Sequence, residues 1–187
     1  LDASPEERAR RRHAELSPAG SLNGSAVQPP RTVRASGSVS NHGLVGNVDG
    51  YLLDVEVAGD LHNAGVWAPG KTRLSGDEPR TLSQEPGHGM NTDLAYLAGA
   101  TGDLIVVTPV SMSGALDLSA GRMVLQPDCP LTLDAASFRG NLLAQGNEIR
   151  FRSWSYLQMC TIDDAVLEGA ARASFGVVAT TRLTVLE

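Results

Sequence analysis

The chain has 187 residues, of which 42% are hydrophobic and 19% charged, enough for one domain that buries its own core without a metal or disulfide. Its formal net charge of −6 argues against a general nucleic-acid or anionic-membrane binder, because such proteins need a basic face. No apolar run is long enough to predict a membrane-spanning helix within the chain.

Residues 1–16 are predicted to form a short helical tail. Pro5 suits a first helical turn, and acidic residues precede a run of arginines, which matches the helix dipole. Residues 17–32 are rich in Ser, Gly, Asn and Pro and are predicted to form a linker. The chain begins with Leu1 rather than Met and shows no intact signal-peptide pattern, which either a processed protein or an expression fragment would explain.

Residues 33–187 are predicted to form one β-solenoid domain. Short apolar segments alternate with polar residues, and Gly, Asn, Asp and Pro separate them without helical patterns or two-residue hairpin turns. Many very short strands of this kind favour a chain wound in one direction. The predicted fold is all-β, a right-handed single-stranded parallel β-helix of about six turns, preceded by a short N-terminal helix.

An internal repeat supports the solenoid. The segment 37–44 aligns with 59–66, with both glycines and the asparagine identical and the apolar positions in agreement. Looser copies centre on Gly114, Gly140 and Gly169. Gly and Asn tolerate positive φ, so we expect them at the corners of the coil. Residues 75–102 lack this repeat pattern and are predicted to form an irregular excursion from the coil, either a binding surface or a flap.

The most informative stretch for function is 148–160. If Ile149 and Phe151 face the core, alternation places two arginines and two aromatic residues on one outer face: Arg150, Arg152, Trp154 and Tyr156. Rings stack on sugars and partner proteins, and guanidinium groups bind acids. The sequence therefore predicts a surface for a polysaccharide or a partner protein, with packing under a loop or the tail as the alternative.

Other chemistry-bearing residues give weaker patterns. No catalytic motif is present, and the chain is interpreted as non-enzymatic, without cofactor or metal. Asp54, Glu56 and Asp60 are predicted to form an outward acidic stripe, either a solvated face or a site for calcium or acid–base chemistry. His42 and His62 fall at different positions of the repeat, so no stacked histidine ladder is expected.

The two cysteines leave their state open. Cys129 and Cys160 fit either one disulfide in an oxidising compartment or two separate buried thiols. Neither has a second ligand nearby in the sequence, so no zinc site is predicted.

Segments such as 59–67 and 110–125 combine glycine, short strands and Gly-rich corners. This texture resembles the degenerate repeats of secreted bacterial surface proteins, such as adhesins and autotransporter passengers, over roughly residues 35–185. The resemblance implies an extracellular structural or adhesive module. A second, weaker likeness is to a solenoid-bearing pilin-like subunit. The alternatives are therefore a pilus-associated or filament-forming subunit that self-associates end to end, and a polysaccharide lyase or hydrolase.

Overall fold

The computed structural model describes residues 29–47, 51–153, 155–169, 178–180 and 183–186. In these ranges the regular structure is entirely β. The strands are β1 (Arg31–Ala35), β2 (Val39–Asn41), β3 (Leu44–Gly46), β4 (Leu53–Val57), β5 (Leu61–Asn63), β6 (Val66–Ala68), β7 (Lys71–Leu74), β8 (Arg80–Gln84), β9 (Met90–Asn91), β10 (Asp93–Tyr96), β11 (Asp103–Val106), β12 (Val110–Leu125), β13 (Leu131–Leu143), β14 (Glu148–Arg152), β15 (Tyr156–Asp163), β16 (Ala165–Glu168), β17 (Val178–Thr180) and β18 (Leu183–Leu186).

Each early strand pairs in parallel with the third strand after it, rather than with its neighbour in the chain. β1 pairs with β4, β2 with β5 and β3 with β6, and the same parallel pairing continues through the later strands. A chain that returns to the same place after three strands is a parallel β-solenoid, here of about six turns. The predicted fold class is confirmed. We call each circuit of three strands a rung.

The rungs build three faces. The first face stacks β1, β4, β7 and β10, and then the middle segments of β12 and β13 and the start of β15. The second face stacks β2, β5, β8 and β11, followed by later segments of β12, β13 and β15. The third face stacks β3, β6 and β9, the starts of β12 and β13, then β14, β16 and β18.

The core runs along the axis as columns of inward side chains. On the first face one column passes through successive rungs in register: Val33, Val55, Thr72, Leu94, Leu116, Phe138 and Leu157. All of these except Val33 are buried. The column follows from strand alternation, because every second side chain points to the same side and parallel rungs repeat that choice.

The 22-residue repeat is confirmed in register. Val39 pairs with Leu61, Asn41 with Asn63, and Leu44 with Val66. Asn41 donates its side-chain amide to the Asn63 Oδ1 at 2.8 Å, and both side chains are buried. Each asparagine oxygen also accepts the N–H of the glycine two residues later. The asparagines therefore hold a corner of the coil through hydrogen bonds.

The looser repeat copies are not equivalent positions. Gly114 pairs with Ala136 at the corner between the third and first faces, whereas Gly140 pairs with Leu118 and Cys160 near the corner between the first and second faces. The three-residue shift between Leu118 and Arg122 explains the mismatch, since corner lengths differ from rung to rung. Spacing between glycines therefore does not follow the rungs in this part of the chain.

Residues 75–102 differ from the predicted excursion. They contain β8, β9 and β10, and these strands pair with the rungs on both sides. The corner loops here are held by Arg80, which is 2% exposed and donates to the carbonyl oxygens of Ser75, Gly76, Glu78 and Thr101. The irregular residues in this segment therefore belong to corner loops whose carbonyl oxygens are hydrogen-bonded to the buried Arg80 guanidinium.

The predicted helical tail, residues 1–16, lies outside the described residues, as does most of the predicted linker. β1 begins at Arg31, two residues before the predicted start of the domain at Val33. Across the described ranges, the structure contains no helix with the length and hydropathy required to cross a bilayer.

Candidate functional site

Arg150 and Arg152 lie on β14 and point outward from the third face. Alternation places Ile149 and Phe151 in the core between them, as the sequence predicts. In the adjacent rung the register partners of the two arginines are Thr132 and Asp134. The strand therefore presents two guanidinium groups on one side of the coil.

The two arginines differ in their surroundings. Arg150 donates to Glu148 on its own strand and to Glu168 on β16, the latter at 3.1 Å. Hydrogen bonding to Glu148 is the main reason that the pKa of Arg150 is raised above its ordinary value. Arg152 is exposed and forms no ion pair with another described residue. Of the two, Arg152 has the guanidinium that an external ligand reaches without displacing a carboxylate.

Tyr156 lies around a corner from these arginines. The chain turns at Ser153, whose φ is +54°, and Tyr156 starts β15 on the first face, opposite Ser137. The buried Ser155 fixes the turn, because its hydroxyl donates to the Leu133 and Arg152 carbonyl oxygens and accepts the Ala136 N–H. Strand alternation does not extend through such a corner, so the prediction of one shared face is incorrect for Tyr156.

Trp154, the fourth predicted member, lies outside the described residues. The remaining three form a surface that wraps a corner, which we call the Arg–Tyr corner: Arg150, Arg152 and Tyr156. Tyr156 is 37% exposed, so part of its ring is accessible. Whether this corner binds a ligand stays a prediction.

The carboxylates of the predicted acidic stripe are engaged within the coil. Arg73 pairs with the buried Asp54 at 3.0 Å, and Arg34 pairs with Glu56 at 3.1 Å. Asp60 accepts the Thr81 N–H at 2.7 Å and the Ser38 hydroxyl at 3.3 Å, which joins three rungs. The Thr81 backbone hydrogen bond is the main cause of the lowered pKa of Asp60. These contacts indicate that the three carboxylates hold adjacent rungs together.

His42 and His62 lie close together, which the repeat alignment did not predict. His62 is in register with Ser40 and Ser83, as the alignment requires, and its Nδ1 lies 2.8 Å from the Ser83 hydroxyl. His42 sits at the corner beyond Ser40, yet its ring centroid is 5.8 Å from that of His62. Side chains from different register positions meet here because a corner residue reaches sideways over the adjacent rung. The register of these residues can be predicted from the sequence, but the close approach of the His42 and His62 rings cannot.

Both cysteines are buried free thiols in the structure, which is the second of the two alternatives. Cys160 lies next to Gly140 in register, whereas Cys129 sits in a corner where its N–H donates to the Asn147 Oδ1. Burial raises the pKa of both thiols. They occupy different positions around the coil, so stacking of the rungs does not bring them together.

Within the described ranges, His, Cys, Asp and Glu side chains form no group of three or more that could hold a metal ion. Comparison of the chain with protein-family models, curated proteins and solved structures gave no significant match.

Proposed function

We propose that this chain is a non-catalytic structural and adhesive module of a bacterial cell surface. In this proposal a rigid coil displays the Arg–Tyr corner to a polysaccharide or a partner protein. The observation that carries the proposal is the exposure of Arg152 and Tyr156 on two sides of a corner that buried hydrogen bonds of Ser155 hold in place. Guanidinium and aromatic groups on a preorganised backbone are suited to sugar rings and acidic groups.

Rigidity is supported by side-chain contacts between rungs. Outward ion pairs join successive strands, including Arg34 with Glu56 and Asp103 with Arg122 at 2.7 Å. Single exposed pairs contribute little, but a ladder of them on a parallel sheet resists sliding between rungs. A surface held in place in this way loses little conformational entropy when it binds a ligand. This favours a role in which the coil presents a binding surface.

The test is co-sedimentation with insoluble probes: bacterial peptidoglycan sacculi, cellulose and calcium alginate gel. The quadruple variant Arg150→Ala, Arg152→Ala, Trp154→Ala and Tyr156→Ala is expected to lose most of the binding that the wild type shows. A matched control, Arg122→Ala with Arg139→Ala, removes two exposed arginines elsewhere and is expected to bind normally. Circular dichroism verifies that all three proteins keep the β fold.

Three outcomes count against the proposal. If the quadruple variant binds as well as the wild type, the Arg–Tyr corner is not the binding surface. If the folded wild type binds none of the probes, the polysaccharide part of the proposal is removed. Equal losses in both variants indicate nonspecific attraction to arginine and also count against the site.

A filament-forming subunit is the second candidate, because a specific observation favours it. Within the described residues, β1, β2 and β3 have strand partners on one side only. Such a free edge is a template for another chain. Head-to-tail stacking in a pilus-associated polymer would use this edge, and its signature is light scattering that keeps growing with protein concentration.

A further inference from the structure

The first rung leaves the core of the coil uncovered among the described residues. Val33 occupies the same inward column as Val55 and Leu116, yet it is 55% exposed while they are 5% and 1% exposed. Val39 and Val45 hold the corresponding inward positions on the other two faces and are partly buried. One valine on each face therefore forms a small, flat apolar end.

We propose that this end binds a second copy of the same chain head to head, around a twofold axis that passes beside Val33. In that arrangement β1 pairs antiparallel with β1 of the other copy. The twofold axis exchanges the second and third faces, so β2 of one copy meets β3 of the other. Val33 then contacts its own counterpart, and Val39 contacts the other copy's Val45. The contact is closed at two copies.

The backbone of β1 fits this pairing. The Arg31 N–H donates to the Leu52 carbonyl oxygen, and the Ala35 carbonyl accepts the Ala58 N–H, so both residues direct their peptide groups to the second rung. Alternation therefore directs the groups of Thr32 and Arg34 to the open side. With the axis at Val33, Thr32 lies opposite Arg34 of the other copy, and the two residues exchange both hydrogen bonds. The valines form the intervening close pair.

The charges of β1 permit the same approach. The register places Arg31 opposite Ala35 and Arg34 opposite Thr32, so no two arginines lie directly opposite each other. Arg34 is already paired with Glu56 at 3.1 Å, and the Arg31 guanidinium lies over the Tyr51 ring at 5.1 Å. Charged residues on an edge strand usually prevent association, but here each has a partner within its own chain.

Apolar complementarity favours a second copy over the chain's own first residues as the occupant. The 28 residues that precede the described region contain few large aliphatic side chains: Leu1, Leu16, Leu22 and Val27. A second copy supplies three valines in the same triangular arrangement, together with three free strand edges at the same spacing. The two ends therefore match in shape and in hydrogen-bonding groups.

Cross-linking of the full chain tests the twofold axis. Cβ atoms of a close antiparallel pair are separated by about 4.5–5.5 Å, near the distance that a disulfide accepts. Val33→Cys is therefore expected to give a disulfide-linked dimer under mild oxidation. The control Val107→Cys places a thiol at another exposed valine and is expected to stay monomeric. The native cysteines are buried and give little background.

Sedimentation analysis tests the same contact without a cross-link. The wild type is expected to double its molar mass from 19.6 kDa as concentration rises and then stop. Val33→Arg is expected to remain monomeric, while Val107→Arg is expected to dimerise like the wild type. A wild type that stays monomeric, a polymer that keeps growing, or an unchanged Val33→Arg variant each overturns the proposal. Loss of sugar binding by the Arg–Tyr corner variant leaves dimerisation intact, so the two proposals fail separately.

Discussion

The two copies of the 22-residue repeat have the same glycines but are constrained differently. A Cβ atom added at Gly37 or Gly43 in the first rung would meet no atom within 4 Å. In the second rung, a Cβ at Gly59 would lie 2.7 Å from the Ser38 nitrogen, and one at Gly65 would lie 2.2 Å from the Gly43 oxygen. A rung is therefore restricted by the rung before it, and identical sequence does not imply identical constraint.

The same contrast applies to the core. Inward side chains of the middle rungs have neighbours on both sides along the axis, whereas Val33 has a described neighbour on one side only. Packing energy depends on the number of close atomic contacts, so a residue in the middle of a column contributes more than its equivalent at the end.

The largest effect is expected in the middle of the column. Phe138 is fully buried, and Phe138→Ala should lower the free energy of unfolding by about 3–5 kcal/mol because it leaves a cavity. Val33→Ala should cost less than about 1 kcal/mol in dilute, monomeric protein, because half of that side chain is already exposed. Urea unfolding followed by circular dichroism measures both. Equal costs would show that depth along the axis does not matter.

An intermediate effect is expected at the repeated glycines. Gly65→Ala forces a methyl group against the Gly43 backbone, and overpacking of this kind costs about 1–3 kcal/mol. Gly43→Ala, the same substitution one rung earlier, should change stability by less than about 0.5 kcal/mol. Thermal unfolding of the two variants makes the comparison. Equal destabilisation of both variants would show that close contact between rungs is not the reason for glycine at these two positions.

The smallest effect is expected at Asp60 and depends on pH. Because its pKa is lowered in the fold, its contribution is present above the ordinary carboxyl pKa and is lost as pH falls through the lowered value. Asp60→Asn should therefore cost about 1 kcal/mol or less at neutral pH and progressively less in acid. Unfolding curves from neutral to acidic pH measure this, with the exposed Glu78→Gln as control. A difference that grows in acid would contradict the assignment.

Much of the fold was predictable from sequence for a physical reason. Parallel stacking repeats each inward position every rung, so apolar alternation and the asparagine–glycine pair recur at the register spacing, as Val39 with Leu61 and Asn41 with Asn63 demonstrate. The corners were less predictable. Positive φ occurs at Ala135, Gln145 and Met159, residue types that do not signal a turn, because hydrogen bonds and packing of adjacent rungs impose the conformation.

The candidate site shows the same limit. Alternation correctly placed Arg150 and Arg152 outside the core, because both belong to one straight strand. It failed for Tyr156, since the turn at Ser153 moves the following strand to another face. It also missed the approach of His42 to His62, which depends on how far a corner side chain reaches. Proximity around a corner is not encoded in the spacing of residues along one strand.

A coil of short parallel strands could be predicted before any coordinates, because the alternation of apolar and polar residues and the spacing of 22 residues are local properties of the chain. The three-dimensional packing of the rungs sets which charges face one another, at which glycines an added side chain would clash, and which side of the coil each outward residue occupies. Those properties depend on the length of every corner, and corner lengths are set by contacts between rungs that are distant in sequence.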